Sequence, residues 1–494
     1  MKIKLTLTFI FLSLNIFSQG INNLWLMGAQ SWGGIPYGGV NMDFTGGNLN
    51  ISYATRAMNF NCTNGEICDA NGNLLFCSNG IYVANAQNDT MINGGGLNPS
   101  FFTTLKDSTG LTIPQANLII PFPDDSNKYY LFHETSDDYG NTYSAFFLYY
   151  SVVDMTQDSG RGSLIQKNVV LLNDTLLDGR LTACRHANGR DWWLLCHKNL
   201  SNRFFKYLIT PTGIQGPFFQ DIGQFREDYF GQLVFSPDGT KFSYYEPIVG
   251  DLDIFDFDRC TGILNLNTHV DINDSANGGG AAFSPNSNVL YVSSNNYVYQ
   301  FDMTSSNIPA TQTTVAVYDG YNSPFPPFAT TFYLAQLAPD GKIYIACNNS
   351  TVDMHVINFP DSIGLGCDVC QHCVHLPAYN HFTVPNHPNY FLGAESGSIC
   401  DSLTSTNSLS VQRSILNLFP NPVSGGDEIT FTYPSTGEHS FIILNSIEGK
   451  ELARYQLPQW SSVQHVRLPK FSGGVYIARL MSTKNSANVK FIVK

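Results

Sequence analysis

The chain has 494 residues, of which 43% are hydrophobic and only 13% are charged. This hydrophobic share is enough for a sizeable core and excludes wholesale disorder, and the length predicts about two to four folding units. Aromatic residues make up 13% and there are 42 glycines, a mixture typical of many short strands joined by tight turns.

The net charge of −13 is distributed unevenly. Residues 413–494 hold nine Lys or Arg and five Asp or Glu, a net charge of +4, which leaves −17 for the rest of the chain. This step predicts a domain boundary near residue 410. The sequence has no clustered basic face, so we expect no nucleic-acid partner.

The N-terminus, MKIKLTLTFIFLSLNIFSQG, has the layout of a secretory signal peptide. Lys2 and Lys4 precede an apolar run over 5–14, and Ser18 is a small residue suited to cleavage, so the signal peptide is predicted over 1–18. The run is shorter than the ~20 residues of a membrane span, and no later segment is long and apolar enough, so no transmembrane segment is predicted. Eleven cysteines fit an exported protein with disulfides, and the odd count leaves at least one thiol without an intramolecular partner.

Residues 19–400 contain one pattern repeated six times: an apolar strand, a turn of Pro, Asp, Asn and Gly, and a second apolar strand. The copies are CDANGNLLFCSNG (68–80), FPDDSNKYYLFHET (122–135), HANGRDWWLLCH (186–197), FSPDGTKFSYYE (235–246), FSPNSNVLYVSS (283–294) and LAPDGKIYIAC (337–347). The turns centre near Gly72, Ser126, Gly189, Gly239, Ser287 and Gly341, at spacings of 54, 63, 50, 48 and 54 residues. Most copies are followed by a third strand, and often by a fourth. Four antiparallel strands about every 50 residues predict the blades of a β-propeller, with separate β-sandwiches as the alternative.

The two ends of this region predict how a ring closes. Strands at 24–28, 39–44 and 49–53 resemble the later strands of a blade without a first strand, and NYFLG (389–393) is a strand without a hairpin after it. A blade shared by both ends makes seven blades; six is the alternative. The pattern resembles the propeller-like extracellular proteins of Bacteroidetes, which carry FSPDG-type repeats related to the WD40 and YVTN-like kind.

Residues 401–414, rich in Ser and Thr, are predicted to be a linker. The short alternating strands of 415–494 then predict a small immunoglobulin-like antiparallel β-sandwich. This module closely resembles the type A C-terminal sorting domain of the type IX secretion system. The matching positions are Phe419, Pro420, Asn421, Pro422, Gly449, Gly473, Gly474, Tyr476, Lys490 and Lys494.

That resemblance implies a route and two partners. The outer-membrane translocon recognises the domain, and in this family a sortase usually removes it, so that the passenger is released or attached to surface lipopolysaccharide. We therefore expect a secreted or outer-membrane-surface protein.

Cysteine and histidine are concentrated near the end of the repeats. Cys367, Cys370 and Cys373 form C-x2-C-x2-C, accompanied by His372, His375, His381, His387 and Cys400. Thiolate and imidazole ligands suit zinc. Disulfides, in which Cys400 takes part, are the interpretation favoured by export, and free thiols are the third.

Two further cysteine pairs are candidate disulfides. Cys62 and Cys68 flank a short stretch, and Cys184 and Cys196 lie on successive strands around a turn. In each case the alternative is an isolated buried thiol.

Acidic residues and histidine meet at two places. His133, Glu134, Asp137 and Asp138 follow the strand YYLF, where acid and base types suit a hydrolase or lyase, although a solvated loop gathers the same residues. Asp251, Asp253, Asp256 and Asp258 resemble a calcium ladder, but apolar neighbours favour a solvated strand face.

No familiar catalytic motif is present, and we assign no catalytic residue, metal or cofactor. The chain is predicted to be an exported binding or adhesion module with a glycan or protein ligand. The competing hypothesis is a propeller hydrolase or lyase acting on extracellular glycans or peptides. Carboxylates or His converging from three or more blades would favour the enzyme, and an uncharged, aromatic-lined rim would favour binding.

Overall fold

The computed structural model describes residues 20–137, 144–227, 231–324, 327–401, 416–433, 440–447, 449–457, 463–481 and 486–494. The predicted signal peptide, and the predicted linker apart from Asp401, lie outside these ranges. The described chain is all-β apart from short 3-10 turns and one short helix, α1, Phe101–Leu105, whose first turn is capped by the Ser100 hydroxyl accepting from the Thr103 N–H (3.0 Å).

Seven sheets follow one another along the first 381 residues, as alternating apolar strands and Gly- or Asp-containing turns predict. Sheet 1 has three strands and sheets 2 to 7 have four each, antiparallel within a sheet, and one parallel pair, Ile92 with Ser163, joins the fourth strands of sheets 2 and 3 into a continuous eight-stranded sheet. The strands of sheets 1 to 3 are β1 Leu24–Ala29, β2 Gly38–Asp43, β3 Asn50–Ala54; β4 Gly65–Cys68, β5 Leu74–Ser78, β6 Tyr82–Asn85, β7 Thr90–Gly95; β8 Asn117–Phe122, β9 Asp125–His133, β10 Ser144–Asp154, β11 Ser163–Leu177. Those of sheets 4 and 5 are β12 Thr182–Arg185, β13 Trp192–His197, β14 Ser201–Thr210, β15 Gly213–Arg226; β16 Gln232–Phe235, β17 Lys241–Glu246, β18 Asp251–Asp258, β19 Ile263–Asp271. Those of sheets 6 and 7 are β20 Gly279–Phe283, β21 Val289–Ser294, β22 Tyr297–Asp302, β23 Thr313–Val317; β24 Phe332–Leu337, β25 Ile343–Cys347, β26 Ser350–Ile357, β27 Val369–His381.

Apolar clusters join these sheets in a cyclic order. One cluster spans sheets 2, 3 and 4, and others join sheet 4 to 5, 5 to 6 and 6 to 7. Two more join sheet 7 to sheet 1 and sheet 1 to sheet 2. Each sheet therefore buries both faces against its neighbours, which is the propeller-like arrangement expected of strands that cannot bury themselves alone. The paired aromatic residues Trp192 and Trp193 follow this rule, since they pack into different clusters on opposite faces of sheet 4.

The repeated turns lie where first and second strands meet. Gly72, Gly189, Gly239, Ser287 and Gly341 all have positive φ in those turns, the conformation that the sequence pattern requires. The predicted centre at Ser126 is wrong: β8 ends at Phe122 and Ser126 already lies in β9. We call the face carrying these turns the turn face, and the opposite face, where segments pass from one sheet to the next, the connector face.

Strand β1 runs in the opposite direction to the first strands of the other sheets. The Gly20 N–H donates to the Ala70 carbonyl (3.0 Å) in the first turn of sheet 2, whereas the Gly28 carbonyl accepts from the Phe60 N–H (3.0 Å) on the connector face. The chain therefore rises from turn face to connector face along β1, as second strands do. Sheet 1 thus has no first strand of its own.

Residues 383–391 run through the ring in the direction of a first strand. The Thr383 hydroxyl donates to the Cys62 carbonyl (2.9 Å) at the connector face, and the Asn389 side-chain amide donates to the Pro237 carbonyl (2.6 Å) at the turn face. The predicted strand at 389–393 is wrong, because these residues form a turn and irregular chain. Pro385 and Pro388 explain why the preceding stretch forms no ladder, since proline has no N–H to donate.

Side chains of sheet 2 replace the missing ladder partner of β1. The Leu26 N–H donates to a Glu66 carboxyl oxygen (3.3 Å), and the Asn64 side-chain amide donates to the Leu26 carbonyl (2.6 Å). Glu66 is buried, which raises the pKa of its carboxyl well above the usual range despite the Leu26 N–H and the Arg56 charge. The backbone N–H and carbonyl of Leu26, on the edge of β1 that has no neighbouring strand, are thereby hydrogen-bonded by side chains.

The C-terminal module consists of two facing sheets around an apolar core. One sheet has the order β28-β29-β32 and the other β31-β30-β33-β34. Their strands are β28 Asn417–Phe419, β29 Glu428–Thr432, β30 Ser440–Ser446, β31 Glu451–Leu457, β32 Val463–Arg467, β33 Gly474–Met481 and β34 Ser486–Val493.

Candidate functional site

Five polar side chains meet at the connector face of sheets 3, 4 and 5. Glu134 directly follows β9, Arg180 lies between β11 and β12, and His197 is the last residue of β13. Tyr244 lies near the end of β17, and Arg226 ends β15. We call these five residues the connector-face cluster.

Ring contacts and charges place these residues close together. The ring centroids of His197 and Tyr244 are 5.4 Å apart, and the Arg226 guanidinium carbon lies 4.5 Å from the Tyr244 ring centroid. Arg180 lies near enough for its positive charge to contribute, after burial, to the pKa of Glu134, of His197 and of Tyr244.

Four members of the cluster have buried polar atoms without a hydrogen-bond partner. Glu134, Arg180 and Tyr244 are fully buried and His197 is 1% exposed. Both Glu134 carboxyl oxygens, all three Arg180 guanidinium nitrogens, His197 Nε2 and the Tyr244 hydroxyl lack partners. Buried polar groups are normally hydrogen-bonded, and leaving a charged one without a partner costs roughly 2–5 kcal/mol. Their concentration in one place marks the best candidate site among the described residues.

The backbone that positions Arg180 is unusual. Arg180 has φ 68°, a left-handed conformation that costs a non-glycine residue roughly 1–2 kcal/mol. Gly179 before it has φ 74°, and a Cβ there would lie 2.0 Å from the Pro114 carbonyl oxygen. The Leu181 N–H donates to the Gln115 carbonyl (3.2 Å), which holds the other side of the turn. Such strain is typical of functional positions.

Burial shifts the pKa of both an acid and a base in the cluster toward the neutral form. Burial, with the negative charge of Asp178, raises the pKa of Glu134 well above its usual range, although Arg180 opposes the shift. Burial, with the charge of Arg226, lowers the pKa of His197 to about 3. His197 Nδ1–H donates to the Lys198 carbonyl (2.8 Å), so Nε2 presents a lone pair. At neutral pH the site therefore offers an imidazole acceptor and a guanidinium beside a carboxyl group whose pKa is raised.

Arg226 belongs at the same time to a buried ion-pair network. Its guanidinium contacts Glu246 (3.0 Å), Asp253 (2.6 Å) and Asp251 (3.2 Å). His269 Nδ1 contacts Asp253 at 2.8 Å. The carboxylates that contact Arg226 belong to sheet 5, so this network holds the Arg226 side chain of the cluster against that sheet.

The His269 contacts predict a dependence of stability on pH. Burial lowers the pKa of His269, but hydrogen bonds to Asp253 and Asp271 outweigh it and raise the pKa. The resulting stability is fully present below the unfolded pKa, near 6.5, and is lost as pH rises through the folded pKa. Urea unfolding from about pH 6 to about pH 9 is expected to show falling stability in wild type, and a weaker slope in His269→Asn. An unchanged slope in that variant would contradict the assignment.

Asp251, His269 and Asp271 offer three ligand atoms within 4.8 Å of one another. The Arg226 guanidinium lies 3.2 Å from the Asp251 carboxylate, however, and already supplies positive charge there. The chemistry of this group therefore does not favour a metal ion. Of the predicted solvated face of β18, Asp258 is exposed, whereas Asp253 is 1% exposed and paired, so that prediction is wrong for Asp253.

The predicted acid–base loop divides between structure and site. His133 is buried, with Nδ1 paired to the Asn98 side-chain oxygen Oδ1 (2.7 Å) and Nε2 to the Ser151 hydroxyl (2.9 Å), so its role is structural. Glu134 belongs to the connector-face cluster, and Asp137 accepts from the Phe146 N–H (2.9 Å). Asp138 lies outside the described residues.

No pattern in the sequence predicts Arg180, His197, Tyr244 or Arg226 as site residues. These residues belong to no motif and are separated by tens of residues, and each reaches the site because its strand ends or nearly ends there. A partial signal was present in Asp178-Gly179-Arg180, since a glycine between charged residues after a strand suggests a constrained loop.

Two disulfides are formed, and one of them was not predicted. Cys370 pairs with Cys373, and Cys400 pairs with Cys260, which sits in the last turn of sheet 5. Residues 392–401 cross the turn face and bring Cys400 to that turn, which sequence spacing does not reveal. Cys367 is a free buried thiol. The zinc interpretation is not supported, because disulfides consume three of the four candidate thiols and the nearby histidines have other partners: His372 pairs with Asp319, His375 with Asp353 and His381 with Ser350.

The other two predicted disulfides are not formed, since all four cysteines are free and buried. Cys184 lies opposite Trp193 in the ladder, so Cys196 points to the other face of sheet 4. Cys62 and Cys68 are separated by the extended strand β4, and an extended chain of six residues spans roughly 20 Å, against the ~7 Å limit of a disulfide.

The two ends of the predicted sorting motif meet in space. The Asn421 side chain donates to the Lys490 carbonyl (3.1 Å) and accepts from the Ile492 N–H (2.8 Å). The Lys494 N–H donates to the Val423 carbonyl (2.9 Å). The segment Phe419–Pro420–Asn421–Pro422 thus joins the terminal strand to the opposite sheet.

The remaining motif positions form turns and strand starts. Gly449 has φ 88° in the turn after β30, Gly473 directly precedes β33, Gly474 begins it, and the Tyr476 hydroxyl donates to the Ser472 carbonyl (2.7 Å).

Residues 417–494 match the family described as the secretion system C-terminal sorting domain. No curated protein matches the chain. Solved structures that resemble it include a Lactobacillus plantarum protein (13% identity, TM-score 0.42, covering 74% of this chain and 98% of that one). A candidate 6-phosphogluconolactonase from Bacteroides fragilis (14%, 0.43, 73% and 96%) and the periplasmic gluconolactonase of Pseudomonas aeruginosa (14%, 0.42, 73% and 98%) are similar to the same extent.

The sorting domain marks proteins that type IX secretion carries to the cell surface or the extracellular space, and this chain is exported by that route. Its tail accordingly interacts with the type IX machinery. Across the described ranges, no helix has the length and apolar character needed to cross a membrane.

Proposed function

We propose that this protein is an exported seven-bladed propeller that binds an extracellular ligand through an anionic group held by Arg180. Sheets 2 to 7 make six blades of four strands. The seventh is sheet 1, with residues 383–391 in place of its first strand. The immunoglobulin-like tail directs export, and a sortase removes it.

The observation that carries the binding proposal is the Arg180 guanidinium, which is fully buried and makes no well-formed hydrogen bond, with the Tyr244 hydroxyl as a close polar neighbour. A guanidinium is charged at every physiological pH and presents five N–H donors in a planar fork. A carboxylate fits that fork with two parallel hydrogen bonds, each stronger than one between neutral groups. His197 Nε2 supplies an acceptor for an adjoining polar group of the ligand, and the Glu134 carboxyl group lies in the same cluster.

Replacing Arg180 tests the proposal in two ways. Arg180→Gln is expected to abolish binding of carboxylate probes such as D-galacturonate and an acidic dipeptide, measured by calorimetry on the full chain. Because it removes an unpaired buried charge, it is also expected to raise the free energy of unfolding by about 1–3 kcal/mol without ligand. Arg203→Gln, which alters a partly exposed arginine of sheet 4, is the control; it should leave binding unchanged and lower the free energy of unfolding by at most about 1 kcal/mol. Lower stability together with unchanged binding would refute the proposal.

A second function, hydrolysis or elimination on an extracellular glycan or peptide, is favoured by one feature of the same site. Glu134, whose pKa burial raises, and a neutral His197 lie in one buried cluster and are residue types that act as acid and base. These groups come from sheets 3 and 4, with Arg226 and its carboxylate partners from sheets 4 and 5. Turnover of a bound ligand that is lost in Glu134→Gln while binding persists would establish this enzyme function.

A further inference from the structure

The ring encloses a cavity on the turn-face side of its axis, and none of the five residues of the connector-face cluster lines it, although Thr182, two residues after Arg180, does. The cavity has a volume of about 300 Å³, within the size range of small-molecule sites. It is lined by the first strands β12, β16, β20 and β24 and by residues 386–391 of the segment that replaces the first strand of sheet 1. We call it the turn-face cavity.

We infer that the turn-face cavity binds a neutral saccharide, at most about one sugar ring deep, that enters from the turn face. This inference is independent of the proposed function of the connector-face cluster, because the two sites share no residue.

The chemistry of the lining excludes charged ligands. No Asp, Glu, Lys or Arg is among the described residues that line the cavity. His387 is neutral there, because burial lowers its pKa to about 4 although its hydrogen bond to the Glu66 carbonyl opposes the shift. A charged ligand would lose its hydration without gaining a counter-charge.

Two unpaired acceptors ask for a ligand that donates hydrogen bonds. His387 Nε2–H donates to the Glu66 carbonyl (3.1 Å), so Nδ1 carries a lone pair, and this atom has no partner although the side chain is only 2% exposed. Asn22, another residue that lines the cavity, has a buried side-chain oxygen without a partner. Hydroxyl groups satisfy both acceptors without introducing charge.

The mouth of the cavity suits the apolar face of a sugar. Pro237, Pro285 and Pro339, from the first turns of sheets 5, 6 and 7, line it together with Phe391, whose ring is 42% exposed. Sugar rings present C–H groups on one face, and aromatic rings pack against such faces while their edges and neighbours remain wet. The amide of Gln336 lies on the wall, held only by long contacts of 3.3 and 3.4 Å, so it is free to exchange them for a hydroxyl.

The experiment is a titration of the full chain with D-glucose, D-galactose, D-mannose and N-acetyl-D-glucosamine, each to about 20 mM. Saturation-transfer NMR measures the binding of each sugar. At least one sugar is expected to bind with a millimolar dissociation constant. His387→Phe keeps the ring and removes the acceptor, and should weaken binding about tenfold, the scale of one lost hydrogen bond. Phe391→Ala, at an exposed position that does not threaten folding, should weaken it by a similar factor.

Two controls separate this site from others. Trp32→Ala removes an aromatic ring that is 86% exposed and outside the cavity lining, and should leave sugar binding unchanged. Arg180→Gln should also leave it unchanged, so the failure of either proposal is distinguishable from that of the other. The inference is overturned if none of the four sugars binds, if Trp32→Ala abolishes binding, or if neither His387→Phe nor Phe391→Ala weakens it.

Discussion

Replacing Arg226 with methionine is expected to lower the free energy of unfolding by about 3–5 kcal/mol, more than any other single substitution considered for this protein. Arg226, Glu246 and Asp253 have side chains that are each 1% exposed, and the guanidinium contacts both carboxylates. Without the arginine, buried negative charges from sheet 5 face one another with no compensating cation. His269 stays beside Asp253 but lies at the partly exposed edge of the network.

Urea unfolding followed by tryptophan fluorescence measures this loss, since Trp25, Trp192 and Trp193 are all buried in the ring. Arg203→Met is the matched control. Its guanidinium also makes two short contacts to one carboxylate, that of Asp221 (2.6 and 2.8 Å), but both side chains are about a third exposed or more. Such exposed pairs contribute at most about 1 kcal/mol. Equal losses in the two variants would show that burial does not set the energy of the Arg226 network.

Removing the Cys260–Cys400 disulfide is expected to destabilise the ring by about 4–5 kcal/mol. The bond spans 140 residues of chain and fixes the end of residues 392–401 to the last turn of sheet 5. In the chain-entropy account, a cross-link stabilises the fold by restricting the unfolded chain, and the effect grows with loop length. The double variant Cys260→Ser, Cys400→Ser therefore increases the conformational entropy of the unfolded chain, which favours unfolding.

The second disulfide provides a control within the same molecule. Cys370 and Cys373 are separated by only three positions, so the same account gives at most about 2 kcal/mol for their double serine variant. The midpoints and slopes of urea unfolding, compared for the two double variants, measure the difference. If the Cys260–Cys400 double variant lost less free energy of unfolding than the Cys370–Cys373 double variant, the expected gain from a cross-link over 140 residues would be contradicted.

Part of the fold was predictable because its causes are local. The turns at Gly72, Gly189, Gly239 and Gly341 each need a residue that tolerates positive φ, and glycine stands at all four. By contrast, the strand predicted at 389–393 is absent, because apolar content alone does not reveal a neighbouring strand to pair with.

The candidate site was predictable only in Glu134. Its other members come from the loop after β11 and from β13, β15 and β17, and no spacing in the chain records that these ends converge. The same holds for Cys260 and Cys400, which proximity in the fold joins and distance in the sequence hides.

By itself the amino-acid order determined the strand-and-turn units and the sorting motif at the C-terminus, because alternation, proline, glycine and Asx chemistry act over a few neighbouring residues. Which sheets adjoin, how β1 is capped by Glu66 and Asn64 without a ladder, and which polar groups remain unpaired around Arg180 were decided only in three dimensions. The reason is that packing and hydrogen bonding between distant segments depend on where each strand ends, and a linear pattern does not contain that information.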